Sequence, residues 1–453
     1  MKNHDIIVAI ATPPGRGGIG VVRVSGKNLS TLANAILGFI PKPRYAYFSK
    51  FCSDDRQIID QGIALYYASP NSYTGEDVLE LQGHGSPAIL NLLLSRCMEV
   101  GARMAQPGEF TLRAFLNGKY DLIQAESVAD IINATTHQAA HSAVQSLQGV
   151  FSKKINALVA LITDLRVIIE ATLDFPEDET DYLSAVQISE QLLRINDALN
   201  QVFDSSKQGK LLQEGIRIAL IGEPNVGKSS LMNQLAQDDI SIVTEIPGTT
   251  RDAIQQTIQI EGVPLHLIDT AGLRKTGDIV EKSGILRTHR AIEKADLLLL
   301  VVDCSKNRIE KKRILANLGI SLSNLPTLTI YNKIDLIEKE PEINNDLSDP
   351  IIWLSAKTGA GLPLLRQKLL DMMGWQTCQA EEGIFMARQR HLDALLQAKT
   401  NLQAAALLVK KNVQLDLIAE ELRLAQQALA SITGEFTSDD LLGKIFANFC
   451  IGK

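Results

Sequence analysis

One stretch of the sequence, IALIGEPNVGKSSLMNQL at residues 218–235, constrains the fold more than any other. An apolar run typical of a buried strand leads into a glycine-containing loop, and Lys228 then opens a helical pattern. In this strand–loop–helix context, backbone N–H groups close round phosphates and the helix N-terminus adds positive potential. The stretch predicts a phosphate-binding loop in which Lys228 reaches the β- and γ-phosphates of a nucleotide and Ser229 ligates Mg²⁺. Its predicted nucleotide contacts are Asn225, Val226, Gly227, Lys228, Ser229 and Ser230.

Three more short motifs follow the phosphate loop, each at the end of an apolar strand pattern. They are DTAG at Asp269–Gly272, NKID at Asn332–Asp335 and SAK at Ser355–Lys357. The carboxylate of Asp335 can accept two N–H bonds from guanine, whereas adenine offers no such pair. Four motifs in this order indicate a GTP-binding protein, and they resemble the translation-factor-like branch of that class. The predicted contacts in these motifs are Asp269, Thr270, Ala271, Gly272, Asn332, Lys333, Asp335, Ser355, Ala356 and Lys357.

The predicted switch regions depart from a Ras-like switch. The stretch VTEIPGTTRD at Val243–Asp252 is the natural first switch, in which Thr250 ligates Mg²⁺ and the preceding Gly-Thr pair bends round the phosphates. Leu273 follows DTAG at the place where the Ras-like pattern has a water-orienting glutamine, so another group must position the attacking water. The first-switch residues assigned to GTP contact are Thr244, Glu245, Ile246, Pro247, Gly248, Thr249 and Thr250.

Changes in composition along the chain predict a multidomain fold, α/β plus α, built from four segments. Residues 1–118 mix strand-like runs with Gly/Pro-rich turns, which predicts an α+β domain. Residues 119–212 and 374–453 carry long helical periodicity, whereas residues 213–373 alternate short apolar strands with helices. That alternation predicts a mostly parallel, doubly wound sheet, and the phosphate and base motifs within the segment identify it as a Ras-like P-loop GTPase domain. Because the termini of an inserted domain usually lie close together, we expect it to be inserted into one helical bundle domain.

Composition narrows the class of protein further. Five scattered cysteines without CxxC spacing predict reduced thiols rather than a disulfide frame or a zinc site. No apolar run approaches the ~20 residues of a membrane helix, and the N-terminal stretch does not resemble a signal peptide. We therefore expect a cytoplasmic protein without a transmembrane segment. A formal net charge of −7 argues against non-specific coating of nucleic acid, but it allows a basic patch that docks a structured RNA.

Beyond these motifs, the chain resembles the MnmE (TrmE) family of tRNA-modification GTPases almost from end to end. The matching blocks are GRGGIGVVRVSG at Gly15–Gly26, YTGEDVLELQGHG at Tyr73–Gly85, QPGEFTLRAFLNGKYDLIQAE at Gln106–Glu126, PGTTRD, and the C-terminal tail CIGK, residues 450–453. Each phosphate motif occurs in many GTPases. Their combination with the N-terminal blocks and the tail is highly specific.

The resemblance implies an N-terminal domain that binds 5-formyl- or 5,10-methylene-tetrahydrofolate and mediates homodimer formation. It implies a heterotetramer-type complex with the FAD-binding partner MnmG, which adds a carboxymethylaminomethyl-type group to C5 of the wobble uridine of certain tRNAs. It also implies that two GTPase domains close face to face for hydrolysis, with K⁺ supplying the charge of an arginine finger. Glu281 is the implied catalytic substitute for the missing glutamine, and the implied K⁺ ligands are Asn225, Thr244, Ile246 and Thr249.

The resemblance also transfers folate contacts to Arg23, Glu80, Lys119 and Lys453. A pterin offers an amide and amino edge that Glu80 can accept, while cations suit the glutamate portion of folate. Without the resemblance, the alternation of Arg23 with apolar residues predicts a solvent-facing strand residue. Cys450 is expected to be a nucleophile toward a pyrimidine carbon or the one-carbon unit, with Lys453 favouring its thiolate. The alternative is that Cys450 is a small residue packed in a tight C-terminal turn.

Two functions from different classes fit the GTPase motifs. One is an enzyme in which GTP hydrolysis drives a tRNA-modifying complex. The other is a regulatory GTPase in ribosome assembly, whose helical and N-terminal domains only bind partners. The N-terminal blocks and Cys450 favour the enzyme, because a pure switch needs neither folate contacts nor a terminal thiol.

Overall fold

The computed structural model divides the chain into two compact units. The first comprises Met1–Ile132, Ser146–Leu199 and Ala394–Lys453, and the second comprises Asn133–Gln145 and Asn200–Asp393. The structure describes residues 5–174, 185–237, 255–269, 292–305, 325–345, 349–375, 384–411, 415–435, 439–447, 449 and 452.

The N-terminal part of the first unit is a six-stranded sheet with two helices packed on one face and a third near its edge. Its elements are β1 (Ile7–Ile10), β2 (Gly17–Gly26), α1 (Ser30–Leu37), β3 (Tyr47–Cys52), β4 (Ile58–Tyr67), β5 (Asp77–Gly85), α2 (Pro87–Glu99), β6 (Arg103–Met104) and α3 (Glu109–Leu116). The strand order is β3-β4-β5-β2-β1-β6, and the short β1–β6 pair is parallel. Val22 and Val24 of β2 and Leu81 of β5 are buried against α1 and α2, so alternate residues of the same strands point to the opposite face.

Four helices follow this sheet along the chain. They are α4 (Leu122–Asn133), α5 (His137–Leu147), α6 (Val150–Asp174) and α7 (Ala185–Glu214). The 25 residues of α6 contain no proline or glycine, and one stripe of the helix is buried at alternating spacings of four and three residues. That stripe consists of Phe151, Ile155, Leu158, Ile162, Leu165 and Ile169. The spacing is that of one apolar helix face, as the sequence predicts.

The second unit contains a seven-stranded sheet. Its elements are β7 (Ile216–Ile221), α8 (Lys228–Gln237), β8 (Gln255–Ile260), β9 (Val263–Asp269), β10 (Leu297–Asp303), β11 (Thr327–Asn332), β12 (Glu342–Asn344), β13 (Ile351–Leu354) and α9 (Leu362–Met372). The order is β12-β13-β11-β10-β7-β9-β8, with parallel pairing from β13 through β9 and antiparallel pairing at both edges. All seven residues of β10, LLLLVVD, are buried. The carboxyl ends of the parallel strands meet at one sheet edge, where ligands bind in such folds.

The last three described helices return the chain to the first unit. They are α10 (Gln389–Lys410), α11 (Leu415–Thr433) and α12 (Asp439–Ala447). Phe446 of α12 packs with Leu112 of α3 and Leu122 of α4 in one apolar cluster, which also contains Phe449. A Cβ at Gly108 would lie 2.7 Å from the Phe446 carbonyl oxygen. This close backbone approach docks the C-terminal helix beside the N-terminal sheet.

The predicted fold class is confirmed: mixed α/β with many helices and a P-loop GTPase sheet. The sequence patterns missed β3, β6, β12 and the eight-residue α3. The predicted domain boundaries at residues 118, 212 and 373 stay predictions. Among the helices in the described ranges, none combines the length and apolar character that a membrane span requires.

Candidate functional site

The predicted phosphate-binding loop joins β7 to α8 in the second unit. Its backbone is left-handed at two positions, with φ of 62° at Asn225 and 98° at Gly227. The Lys228 side chain is buried, and its Nζ donates to the carbonyl oxygens of Gly222 at 2.8 Å and Glu223 at 2.7 Å. The loop therefore wraps round its own lysine, whose ammonium lies at the N-terminus of α8, where phosphate charge is favoured.

Asn332, at the end of β11, holds this loop from the side. Its Nδ2 donates to the Val226 carbonyl oxygen at 2.7 Å, and its Oδ1 accepts the Ala356 N–H at 2.8 Å. Asn332 is buried, so these bonds satisfy a polar group that burial would otherwise penalise. A Cβ at Gly227 would overlap Asn332 Nδ2. One side chain therefore ties together the phosphate loop, NKID and SAK.

Asp335 lies in a single 3₁₀ turn, Ile334–Leu336, directly after β11. Its Oδ1 accepts the hydroxyl of the fully buried Ser355 at 2.5 Å. Because this hydroxyl is fixed by burial, it also fixes the orientation of the carboxylate. An oriented carboxylate at this place is suited to the paired N–H groups of a guanine edge.

These segments surround a cavity of about 630 Å³, which is within the size range of nucleotide-sized ligand pockets. Phosphate-loop residues line one part, and NKID and SAK residues line another. The lining residues are Pro224, Asn225, Gly227, Lys228, Ser229, Ser230, Asn332, Lys333, Asp335, Leu336, Ala356 and Lys357. Two predicted contacts in these three segments, Val226 and Ser355, do not line the cavity. Each instead forms a hydrogen bond with a residue that does, Val226 with Asn332 and Ser355 with Asp335. The exposed hydroxyl of Ser229 is a chemically suitable Mg²⁺ ligand.

Sequence reasoning missed Asp303, the last residue of β10. Its buried carboxylate accepts Lys333 Nζ at 2.6 Å, and it also accepts the Ser305 hydroxyl at 2.6 Å and the Ser305 N–H at 3.0 Å. Burial alone raises the pKa of the Asp303 carboxyl, but the bonds from Lys333 and Ser305 outweigh burial and hold that pKa below its ordinary value. The sequence did contain a signal for this residue: Asp303 is the one acidic residue at the end of an otherwise apolar strand, LLLLVVD.

A second group of predicted residues meets on the N-terminal sheet of the first unit. Arg23 of β2 and Glu80 of β5 are cross-strand partners, and Arg23 Nε and Nη2 each lie 2.9 Å from Glu80 Oε1. Their side chains are 20% and 14% exposed, so Arg23 is not the solvent-facing residue that alternation alone predicts. Its guanidinium carbon lies 5.5 Å from the centroid of Tyr73 and 6.0 Å from that of Phe110. The Arg23 guanidinium therefore lies within cation–π distance of two aromatic rings while it pairs with Glu80.

The C-terminal tail meets this ion pair through Gly452. Gly452 is buried with φ of 98°, and its carbonyl oxygen accepts Arg23 Nη1 at 3.4 Å. A Cβ at Gly452 would lie 2.5 Å from the Ile10 carbonyl oxygen, at the end of β1. Gly452 thus packs against backbone close to the place where Arg23 and Glu80 pair, hereafter the Arg23–Glu80 site.

Lys119 has a different neighbourhood from the ion pair. Its exposed Nζ donates to the Pro70 carbonyl oxygen at 3.1 Å. The next residue, Tyr120, packs edge-on against Tyr73 with 6.0 Å between ring centroids. Lys119 is therefore linked to the Arg23–Glu80 pair only indirectly: its chain neighbour Tyr120 contacts Tyr73, whose ring lies beside Arg23.

The remaining predicted site residues lie outside the described part of the chain. Asp269 is described only as the last residue of β9. The predicted residues outside the description are Thr244, Glu245, Ile246, Pro247, Gly248, Thr249, Thr250, Thr270, Ala271, Gly272, Glu281, Cys450 and Lys453.

A mostly parallel sheet with a phosphate loop and an oriented carboxylate at its edge defines the class of P-loop GTPases. Two family models match the chain: "GTP-binding protein TrmE N-terminus" over residues 6–119 and "MnmE helical domain" over residues 122–450. The chain belongs to the MnmE (TrmE) family of tRNA-modification GTPases.

Full-length relatives support the same assignment. The tRNA modification GTPase MnmE of Nitrosomonas europaea is 60% identical over 454 residues, and that of Nitrosomonas eutropha is 61% identical over 455 residues. The MnmE of Nitrosospira multiformis is 56% identical over 456 residues. In all three comparisons the match covers 100% of this chain and 100% of the relative.

Proposed function

We propose that this chain couples GTP hydrolysis to the addition of a carboxymethylaminomethyl-type group to C5 of the wobble uridine of certain tRNAs. It acts in the cytoplasm as a homodimer, in a heterotetramer-type complex with the FAD-binding protein MnmG. The observation that carries the proposal is the coexistence in one chain of two sites. One is the nucleotide cavity at the sheet edge, and the other is the Arg23–Glu80 site reached by the C-terminal tail.

In the nucleotide cavity, the loop N–H groups and Lys228 bind the phosphates, and Asp335 selects guanine. Ser229 and Thr250 hold Mg²⁺, whose charge offsets the phosphate charge. Asn225, Thr244, Ile246 and Thr249 hold K⁺ when two GTPase domains meet, and Glu281 orients the attacking water. The exposed, left-handed Asn225 on the cavity wall supports its role. Equal hydrolysis rates in potassium and sodium salts would contradict the role of K⁺.

At the Arg23–Glu80 site, Glu80 accepts the amide and amino edge of a pterin, and Arg23, Lys119 and Lys453 meet the anionic part of tetrahydrofolate. A carboxylate paired with an arginine that lies beside two aromatic rings is a chemically suitable receptor for that edge. Bound as the 5,10-methylene derivative, tetrahydrofolate would supply the one-carbon unit at the oxidation level that the product requires, whereas the 5-formyl derivative would occupy the site without reacting. Cys450 acts as the nucleophile toward a pyrimidine carbon or the one-carbon unit: its thiolate forms a C–S bond, which breaks again when the modified uridine is released.

Asp335→Asn is expected to weaken GTP binding about 20-fold and to favour xanthosine triphosphate over GTP. An amide presents one donor and one acceptor to the base, so it loses a charged hydrogen bond to guanine and complements the xanthine edge. Equilibrium binding of fluorescent GTP and of xanthosine triphosphate measures both effects. Unchanged GTP selectivity would remove Asp335 from base recognition.

Reconstitution tests the proposed function directly. Purified chain, MnmG with its FAD, GTP, Mg²⁺, K⁺, tRNA lacking the modification, glycine as the amine donor that carries the carboxymethyl group, and methylene-tetrahydrofolate labelled in its one-carbon unit are combined. We expect label in the wobble uridine, and we expect Lys228→Ala to abolish its incorporation. If the wild-type chain hydrolyses GTP under these conditions but no label enters tRNA, the regulatory function in ribosome assembly becomes the better account.

A further inference from the structure

Each polar side chain of NKID is held by another part of the chain. Asn332 is held by the phosphate loop and by SAK, and Asp335 is held by SAK. Lys333 is held by Asp303, which belongs to none of the four nucleotide motifs. Asp303 therefore contacts the nucleotide cavity only through a residue that lines it.

Lys333 is held in an unfavourable backbone conformation. Its φ is 72°, the left-handed region that side-chain-bearing residues seldom adopt. Its side chain is 29% exposed and lines the cavity. A lysine stem has four rotatable bonds, so a defined position on a cavity wall requires a partner for the ammonium.

Asp303 meets that requirement with both carboxylate oxygens. Oδ2 accepts Lys333 Nζ, while Oδ1 accepts the hydroxyl and N–H of Ser305. The carboxylate is only 4% exposed, so its orientation cannot relax into solvent. Its position follows from the sheet itself, because Asp303 and Asn332 are register partners on adjacent parallel strands.

We propose that Asp303 is a positioning residue for guanine-nucleotide binding. It holds the Lys333 side chain in an orientation in which its stem can pack against the base and the ribose. The methylene groups of Lys333 pack on the ring face, while Asp335 reads the ring edge. Asp303 thereby affects affinity for GDP and GTP alike, since both share base and ribose. It leaves the choice between guanine and xanthine to Asp335. The inference rests on the proposed nucleotide site.

A double-mutant cycle on the full chain tests this role, with fluorescent GDP as the probe. Asp303→Asn is expected to raise the Kd for GDP about 10-fold, because the amide loses the charge that holds Lys333. Lys333→Gln is expected to raise it at least as much. In the Lys333→Gln background, Asp303→Asn is expected to add less than a factor of two, because the residue through which it acts has gone. Asp296→Asn is the matched control: Asp296 lies just before β10, accepts the Arg217 N–H and does not line the nucleotide cavity, so the same change there is expected to alter the Kd less than threefold.

Each other outcome overturns something specific. If Asp303→Asn lowers the melting temperature but does not change the Kd for GDP, Asp303 has a purely structural role and the inference is overturned. Fully additive effects in the cycle also overturn it. Failure of the wild-type chain to bind GDP overturns the proposed nucleotide site itself. If Asp303→Asn does not fold, Asp303→Ser, which also removes the charge, replaces it in the cycle: a Kd rise of at least threefold that disappears with Lys333→Gln supports the role, and no rise contradicts it.

Discussion

Gly227→Ala will reduce GTP affinity by at least about 25-fold and abolish hydrolysis. Two costs combine at this position. Alanine is strained at φ of 98°, by roughly 1–2 kcal/mol. Its Cβ would also overlap Asn332 Nδ2, which donates to Val226 and cannot withdraw without breaking the tie between phosphate loop and base pocket. Displacing a packed group costs about 1–3 kcal/mol more, and each 1.4 kcal/mol is about tenfold in affinity. Equilibrium binding of GTP and steady-state phosphate release measure the loss.

Gly374→Ala separates the two costs. Gly374 also has a positive φ, 72°, but a Cβ there meets nothing within 4 Å. We expect this control to lower stability slightly and to leave GTP affinity unchanged. If Gly227→Ala binds GTP with wild-type affinity, the described arrangement of phosphate loop and Asn332 is not the nucleotide-binding one.

Gly452→Ala will lower the rate of tRNA modification at least about 100-fold. The rate of GTP hydrolysis is expected to stay within twofold of wild type. The added Cβ would lie 2.5 Å from the Ile10 carbonyl oxygen, and backbone cannot move aside as a flexible side chain can. The tail must therefore leave its seat, which removes its contact with Arg23. Cys450, the proposed nucleophile, is only two residues before Gly452 in the chain, and misplacement of a reacting group by about 1 Å can cost 100-fold in rate. Reconstituted modification and phosphate release are measured on the same preparations.

Gly443→Ala is the matched control for the tail. Gly443 lies in α12, and a Cβ there meets nothing within 4 Å. We expect normal modification and normal hydrolysis. Cys450→Ser, tested in parallel, is expected to lose modification with the tail still seated. If both Gly452→Ala and Cys450→Ser modify tRNA at the wild-type rate, the C-terminal tail contributes only to packing and has no role in the modification reaction.

Much of the fold follows from local pattern. The alternating and continuous apolar runs predicted the parallel core of the second sheet, and the placement of NKID and SAK at strand ends predicted that they meet. The α6 stripe also repeats with the period read from the sequence. These features depend on periodicity and on the common edge of parallel strands, both of which a single sequence shows.

The rest depends on contacts between distant residues. Helix α3 has only eight residues, and Arg113 within it pairs with Asp5 and Glu76, which are remote in sequence. Asp303 acquires its role only because β10 lies beside β11. Nothing in the alternation of Arg23 shows that Glu80 faces it or that Gly452 returns to it. Register and long-range docking decide such contacts, and local pattern does not encode them.

Deleting the gene for this chain in its host, and quantifying total tRNA nucleosides by mass spectrometry, tests the central claim most directly. The account predicts loss of the carboxymethylaminomethyl-type group from wobble uridine, restored by the wild-type gene but by neither Lys228→Ala nor Gly452→Ala. An unchanged nucleoside profile in the deletion strain would contradict it.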